Sequence, residues 1–257
     1  MSFPEIILLR HSTTEATLNN IISGWNDDKI DIEYARNEIE KLYNQTKKNS
    51  IRTDVFENAS CLFTSALSRT IHTANILLEY INKKPELIKN SQLLNEKHYG
   101  VLSHKNRYEL KYYYTEEEIN EWRRTFYGKP PNGESMEDVS IRVSTFYDMF
   151  IKDNLKKMAY FPDKPNKIII ISHGTPIRCL MSIIENKKDD YYQNLEIPIC
   201  EGYYYKISFD GRIIEKRNLP QYDLLESDID QKKIIDEAYD KMNNQPIKLT
   251  RRRSSSV

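Results

Sequence analysis

An α/β architecture with a mostly parallel sheet and helices on both faces, hence three layers, follows from two features of the sequence. Short, nearly continuous apolar runs, "EIILLR", "CLFTS" and "KIIIIS", have the character of strands buried on both sides. Segments with helical apolar spacing lie between them, and strands alternating with helices close into a parallel sheet covered on both faces.

Four strands are expected, over Glu5–Arg10, Cys61–Ser65, Lys167–Ser172 and Gly202–Phe209. A helix follows Ser68, where Ile71, Ala74, Leu78 and Ile81 recur at helical spacing, and a second carries Met136, Val139, Val143, Phe146 and Phe150. Ser135 and Asp138 have the spacing of a capping box at its start. "GTPIRCLMSII" begins a third helix, with Pro176 in its first turn and Ile177, Leu180, Met181 and Ile184 on one stripe. Residues 228–243 have the pattern of a short helix. "RRRSSSV" closes the chain as a basic, serine-rich tail expected to be mobile and of the kind basophilic kinases accept.

The 257 residues suffice for one large domain, read as 1–220, plus a charged extension, 221–257. Lys+Arg and Asp+Glu both number 38, so bulk charge favours neither nucleic acid nor a membrane surface as partner. Cys61, Cys179 and Cys200 are odd in number and lack metal-ligand spacing, which fits free thiols in a reducing, cytoplasmic setting. No apolar run approaches the length of a membrane span. The composition leaves room for a homo-oligomer without indicating one.

In parallel sheets, ligands gather beyond the carboxyl ends of strands. Arg10-His11 and His173-Gly174 each lie at such an end, so two histidines can meet at one rim. The helix after His173 offers backbone N–H groups and the positive end of its dipole to an anion. "FTSALSRT" places Arg69 just past a third strand, where a fixed cation suits phosphate oxygens; alone it reads more readily as a solvated helix-start cation. Glu96, among the aromatic and apolar residues of "LLNEKHYGVL", suits acid/base work, and Arg123 with Arg124 beside Trp122 suits the second charge of a small polyanion. Together these point to phosphoryl transfer through a histidine nucleophile without a metal. A serine-hydrolase elbow is absent, and the five histidines lack zinc spacing.

"LLRH…SGW", "TSALSRTIHTA", "LNEKHYGVL", "EWRRTFYGKPPNGES" and "SHGTPIR…LEIP" occur in an order and spacing that resemble the cofactor-dependent phosphoglycerate mutases of the histidine phosphatase superfamily, over roughly residues 5–210. The resemblance implies a phosphoglycerate mutase-like domain that interconverts 3- and 2-phosphoglycerate, primed by 2,3-bisphosphoglycerate and needing no metal. It implies that His11 is the phosphorylated nucleophile, that Arg10, Arg69 and His173 form the phosphate pocket, and that Glu96 is the acid/base. Ser23, Gly24, Tyr99, Arg123, Arg124 and Gly174 match substrate-contacting positions, and Arg107 stands at one where a lysine is typical. Thr17 and Thr175 stand where the family has asparagines, Ser12 and Thr13 where it has glycine and an acidic residue, and Ile199-Cys200 where it has Thr-Gly. A phosphatase acting on small phosphorylated metabolites is the alternative implied, and an inactive scaffold a more distant one.

Overall fold

In a computed structural model of the chain, residues 3–48, 55–160 and 166–220 are described. The expected helix over 228–243 and the basic tail lie outside the described residues. In chain order the elements are β1 (Glu5–Arg10), α1 (Glu15–Leu18), α2 (Ile32–Lys48), β2 (Ala59–Ser65), α3 (Ser68–Tyr80), β3 (Leu87–Ser91), α4 (Glu116–Arg124), α5 (Met136–Phe146), α6 (Asp153–Tyr160), β4 (Lys167–Ser172), α7 (Gly174–Ile184), β5 (Gly202–Ile207) and β6 (Ile213–Leu219). A π-helical turn, Tyr147–Lys152, joins α5 to α6.

The strands form one six-stranded sheet in the order β3-β2-β4-β1-β5-β6. β1, β2, β3 and β4 pair in parallel, while β5 runs antiparallel to both β1 and β6. The sheet is thus mixed where the sequence led only to "mostly parallel", and the direction of β5 was not visible in its residues.

Each strand sends alternate side chains to opposite faces, which gives two cores. On one face Ile6, Leu8, Phe63, Ile168 and Ile170 meet Val139, Val143 and Phe146 of α5 and Ile177, Leu180, Met181 and Ile184 of α7. On the other, Ile7, Leu9, Leu62, Ile169 and Ile171 meet Ala35, Ile39 and Leu42 of α2 and Ala74, Ile76 and Leu77 of α3. Burying each large aliphatic side chain contributes about 1.5–3 kcal/mol, so these two faces supply most of the driving force. The layers are therefore those expected.

The capping box at Ser135 and Asp138 is present in both directions, and Pro176 occupies the first turn of α7. A smaller cluster of Ile22, Leu102 and Leu110, with Tyr99 and Trp122 against it, supports the loops above the carboxyl ends of the strands. No helix among the described residues is long and apolar enough to cross a membrane.

Candidate active site

Parallel register explains how the histidines meet. Arg10 and Ser172 are partners across β1 and β4, so the next residue of each strand, His11 and His173, emerges at the same rim. The His11 amide donates to the Ser172 carbonyl at 3.0 Å, and the rings stand with centroids 5.0 Å apart. Both are buried, at 4% and 0% exposure.

Their tautomers follow from their partners. A carbonyl oxygen only accepts, so His11 Nδ1, 2.7 Å from the Ser12 oxygen, carries the hydrogen and Nε2 keeps its lone pair. A guanidinium only donates, so His173 Nδ1, which receives Arg69 Nε–H at 3.2 Å, is bare, and its Nε2–H donates to Ser65 Oγ at 2.8 Å. Burial pushes both imidazoles well below their ordinary pKa, and the charges of Arg69 and Arg10 push further in the same direction. Both are neutral at pH 7, as a histidine nucleophile requires.

The Ser12 loop is held from α3. Thr73 Oγ1 donates to the Arg69 carbonyl at 2.7 Å and accepts the Ser12 amide at 3.0 Å, with the Ser12 hydroxyl also at 3.0 Å. Thr13 gives its amide and hydroxyl to the two carboxylate oxygens of Glu38 at 2.8 and 2.7 Å. The side chains that replace glycine and an acidic residue beside the nucleophile are thus built into the loop.

Arg69 is 1% exposed. Besides His173 it donates to the carbonyls of Asn26 and Gly24, each at 2.7 Å. Gly24 has φ +56°, a conformation glycine adopts without strain, and this turns its carbonyl toward Arg69. A guanidinium has five N–H groups, so Arg69 retains two for a ligand. Arg10 donates Nη1–H to the Ile197 carbonyl, and its Nε is buried without a protein partner.

Glu96 sits in a loop tied to the sheet by Asn95, whose Oδ1 accepts the Ala66 amide at 3.0 Å, and by Ser172, whose hydroxyl donates to the Leu94 carbonyl at 2.7 Å. Its Oε1 accepts the amides of Lys97 at 2.8 Å and Thr175 at 3.2 Å, which leaves Oε2 as the oxygen without a backbone amide on it. This changes one expectation: the Thr175 amide in the first turn of α7 serves the Glu96 carboxylate instead of standing free for phosphate. The Glu96 carbonyl accepts from Trp25 Nε1 at 2.6 Å and Arg142 Nη2 at 2.9 Å. Arg142 also forks onto Glu134, both donors at 3.0 Å, and reaches the Leu93 carbonyl at 2.9 Å.

The remaining expected residues divide. Tyr99 and Arg107 act on both Arg10 and Arg123: burial lowers the two guanidinium pKa values, the charge of Arg107 lowers both again, and Tyr99 opposes the shift. Arg124, at the end of α4, pairs with Glu196 at 2.6 Å. Thr17 is engaged elsewhere, because its hydroxyl donates to the Thr14 carbonyl at 2.7 Å and closes the cap of α1. Thr175 Oγ1 accepts from Arg178 at 3.1 Å. Gly174 opens α7 with Glu96 Oε2 as its neighbour, and the Ser23 carbonyl accepts the Asn26 amide at 3.0 Å, shaping the turn at Gly24.

Residues missed by the sequence reading act through these: Ser65, Thr73, Trp25, Glu134, Arg142, Lys97 and Glu196. Glu134 lies in the "GES" that opens α5 and Arg142 two turns later, a spacing that was available as a signal. Lys97 is 3% exposed and gives its ammonium to the carbonyls of Trp122 at 2.7 Å and Gly128 at 3.1 Å. Burial, then the charge of Arg178, lowers its pKa to about 8.

Residues 6–220 match the model of the histidine phosphatase superfamily, branch 1. The chain belongs to that superfamily. Among curated relatives of this histidine phosphatase chain, the 2,3-bisphosphoglycerate-dependent phosphoglycerate mutase of Bartonella bacilliformis is 29% identical over 213 residues, covering 82% of this chain and 96% of that one. The phosphoglycerate mutase of Schizosaccharomyces pombe is 28% identical over 211 residues, covering 82% and 93%. In fold, the chain resembles mycobacterial glucosyl-3-phosphoglycerate phosphatase with a TM-score of 0.64 at 18% identity, covering 79% of this chain and 92% of that one. It resembles the phosphoglycerate mutase of Bacillus anthracis with a TM-score of 0.62 at 17% identity, covering 86% and 94%.

Proposed function

We propose that this histidine phosphatase superfamily enzyme interconverts 3-phosphoglycerate and 2-phosphoglycerate by carrying a phosphoryl group on His11. The observation that supports the mutase reading is the cationic arm beside the phosphate pocket. Arg107 repels both Arg10 and Arg123, Arg124 follows Arg123 in the last turn of α4, and such like-charge crowding is relieved by a ligand with a second anionic group. The names of the curated relatives agree with this reading.

The residues also suit the bisphosphorylated acid for which the bacterial relative is named. Arg10 Nε is buried without a protein partner, Arg69 keeps two N–H groups, and the arm accommodates the other end. When bound, 2,3-bisphosphoglycerate supplies the priming phosphoryl group.

This chain's residues perform the transfer as follows. The Nε2 lone pair of His11 forms the N–P bond while the P–O bond to the substrate breaks, and Glu96 Oε2 delivers a proton to the departing oxygen. Arg10 and Arg69 balance the charge on the phosphoryl oxygens, and His173 holds Arg69 in the orientation that does so. The return transfer to the other hydroxyl reverses each step, with Glu96 taking the proton.

Hydrolysis of small phosphate monoesters is the second reading. It is favoured by Thr17, whose hydroxyl is used within the cap of α1 and so gives no donor to a retained phosphoryl group. The purified protein supplied with 3-phosphoglycerate, with and without 2,3-bisphosphoglycerate, separates the two. Primer-dependent 2-phosphoglycerate with little inorganic phosphate establishes the mutase; phosphate release without isomerisation establishes the phosphatase.

A further inference from the structure

Glu196 stands where the arm would meet a ligand's second anion. Arg124 Nη1 donates to Glu196 Oε1 at 2.6 Å, with the two side chains 45% and 73% exposed. The next residue, Ile197, gives its carbonyl to Arg10 Nη1, so one short segment touches both the phosphate pocket and the arm. Partial desolvation pushes the Glu196 carboxyl up, yet the Arg124 hydrogen bond and charge, followed by the charges of Arg178 and Arg10, hold it below the ordinary carboxylate range. Arg123 feels the same negative charge. One protein carboxylate therefore pairs with Arg124 and its charge reaches Arg10, Arg123 and Arg178, and it is chemically the same group as the free end of a phosphorylated hydroxy acid.

We propose that Glu196 is a specificity-determining residue: it occupies the anion seat of Arg124 and reduces the preference for ligands that carry a carboxylate beyond their phosphate. The proposal rests on the reading of Arg123 and Arg124 as the seat of the substrate's second anion. An exposed ion pair is weak enough for a ligand to displace, so its effect is a graded handicap of up to about fivefold and not a block. Because Glu196 is exposed, the effect is also screened by salt.

Calorimetric titration of the full chain with inorganic phosphate and with 3-phosphoglycerate tests it without reference to turnover. Inorganic phosphate reports the pocket alone; 3-phosphoglycerate reports the pocket and the arm. Glu196→Gln is expected to tighten 3-phosphoglycerate relative to phosphate by about twofold to fivefold at low salt, with the gain shrinking as salt is raised. Glu196→Ala should reproduce the gain. Arg124→Gln should lower the same ratio, and adding Glu196→Gln to it should bring no further gain, because the carboxylate acts through that arginine.

If Arg124→Gln lowers the ratio but Glu196→Gln fails to raise it, the role given to Glu196 is wrong while the arm stands. If Arg124→Gln leaves the ratio unchanged, or if 3-phosphoglycerate binds no tighter than phosphate in the wild type and both Glu196 variants, the arm is not the anion seat and the proposal falls with it.

Discussion

The rings of His11 and His173 stand 5.0 Å apart at an interplanar angle of 61°, and both are uncharged. Between Arg10 and Arg69 a protonated imidazole would be a third cation in a buried space, so neutrality is set by the surroundings. Below pH 6.5 the unfolded chain binds protons that these folded histidines refuse, and stability falls as pH drops by up to about 1.4 kcal/mol per pH unit for each. Urea denaturation at pH 7.5 and 5.5 should show a loss about 1 kcal/mol smaller for His11→Asn than for the wild type. Equal losses would mean that His11 is accessible to protons in the folded state.

Arg142 holds the Glu96 carbonyl from one side while Trp25 holds it from the other. Lysine at 142 keeps the charge but cannot fork onto Glu134, so the loop carrying Glu96, the proposed acid, loses its fixed position. Arg142→Lys should lower the rate on an alkyl phosphate by up to about a hundredfold and on an aryl phosphate with a good leaving group far less, since only the former needs the proton. Glu96→Gln sets the scale for this selectivity. Parallel losses on both substrates would assign Arg142 to folding alone.

Lys97 is a cation inside the protein, set against the end of α4 through the carbonyls of Trp122 and Gly128. With its pKa lowered to about 8, first by burial, it loses its charge as pH rises through that value, while its ammonium holds the carbonyl of Trp122, the residue before Arg123. Affinity for 3-phosphoglycerate should therefore weaken above pH 8 in the wild type, and Lys97→Met should lack that limb and bind more weakly at pH 7. Titrations across pH 7 to 9.5 decide it; an alkaline limb that survives in the variant belongs to another group.

Gly202 opposes Leu9 where β5 crosses β1, and a Cβ there would fall 1.8 Å from the Leu8 carbonyl oxygen. Gly202→Ala forces the two backbones apart at the strand that presents Arg10 and His11. A destabilisation of about 1–3 kcal/mol is expected, together with a fall in His11 phosphorylation in the protein that remains folded. Thermal unfolding and acid-labile phosphate measure the two effects, and a variant with wild-type values of both would show that the strands can separate freely.

The parts of the fold that were legible are those with continuous apolar runs or an apolar stripe at helical spacing, such as β1, β4, α3, α5 and α7. β1 and β4 announce themselves because both faces meet hydrophobic cores, and their ends deliver His11 and His173. β3 has Leu87 and Ile88 about half exposed at the sheet edge, so no burial pattern marks it. α2 buries only a narrow stripe of Ala35, Ile39 and Leu42 within a polar sequence, and α4 buries nothing, although Thr115 and Glu118 form a capping box that could have been read. In the site, residue types at strand ends were visible, whereas their couplings were not. Arg69 meets His173 across 104 residues and Thr175 meets Glu96 across 79, contacts created by the sheet order and not by local spacing.

That order has a consequence for how the protein is made. β4 lies between β2 and β1 but is the fourth strand in the chain, so a nascent polypeptide that has emerged only as far as residue 166 carries two apolar strands with the gap between them unfilled. Non-local pairing of this kind is slow, and the waiting edges are open to other chains. His11 is thus synthesised before the strand that completes its surroundings, and the two histidines can meet only once Lys167–Ser172 has paired with β1 at the centre of the sheet.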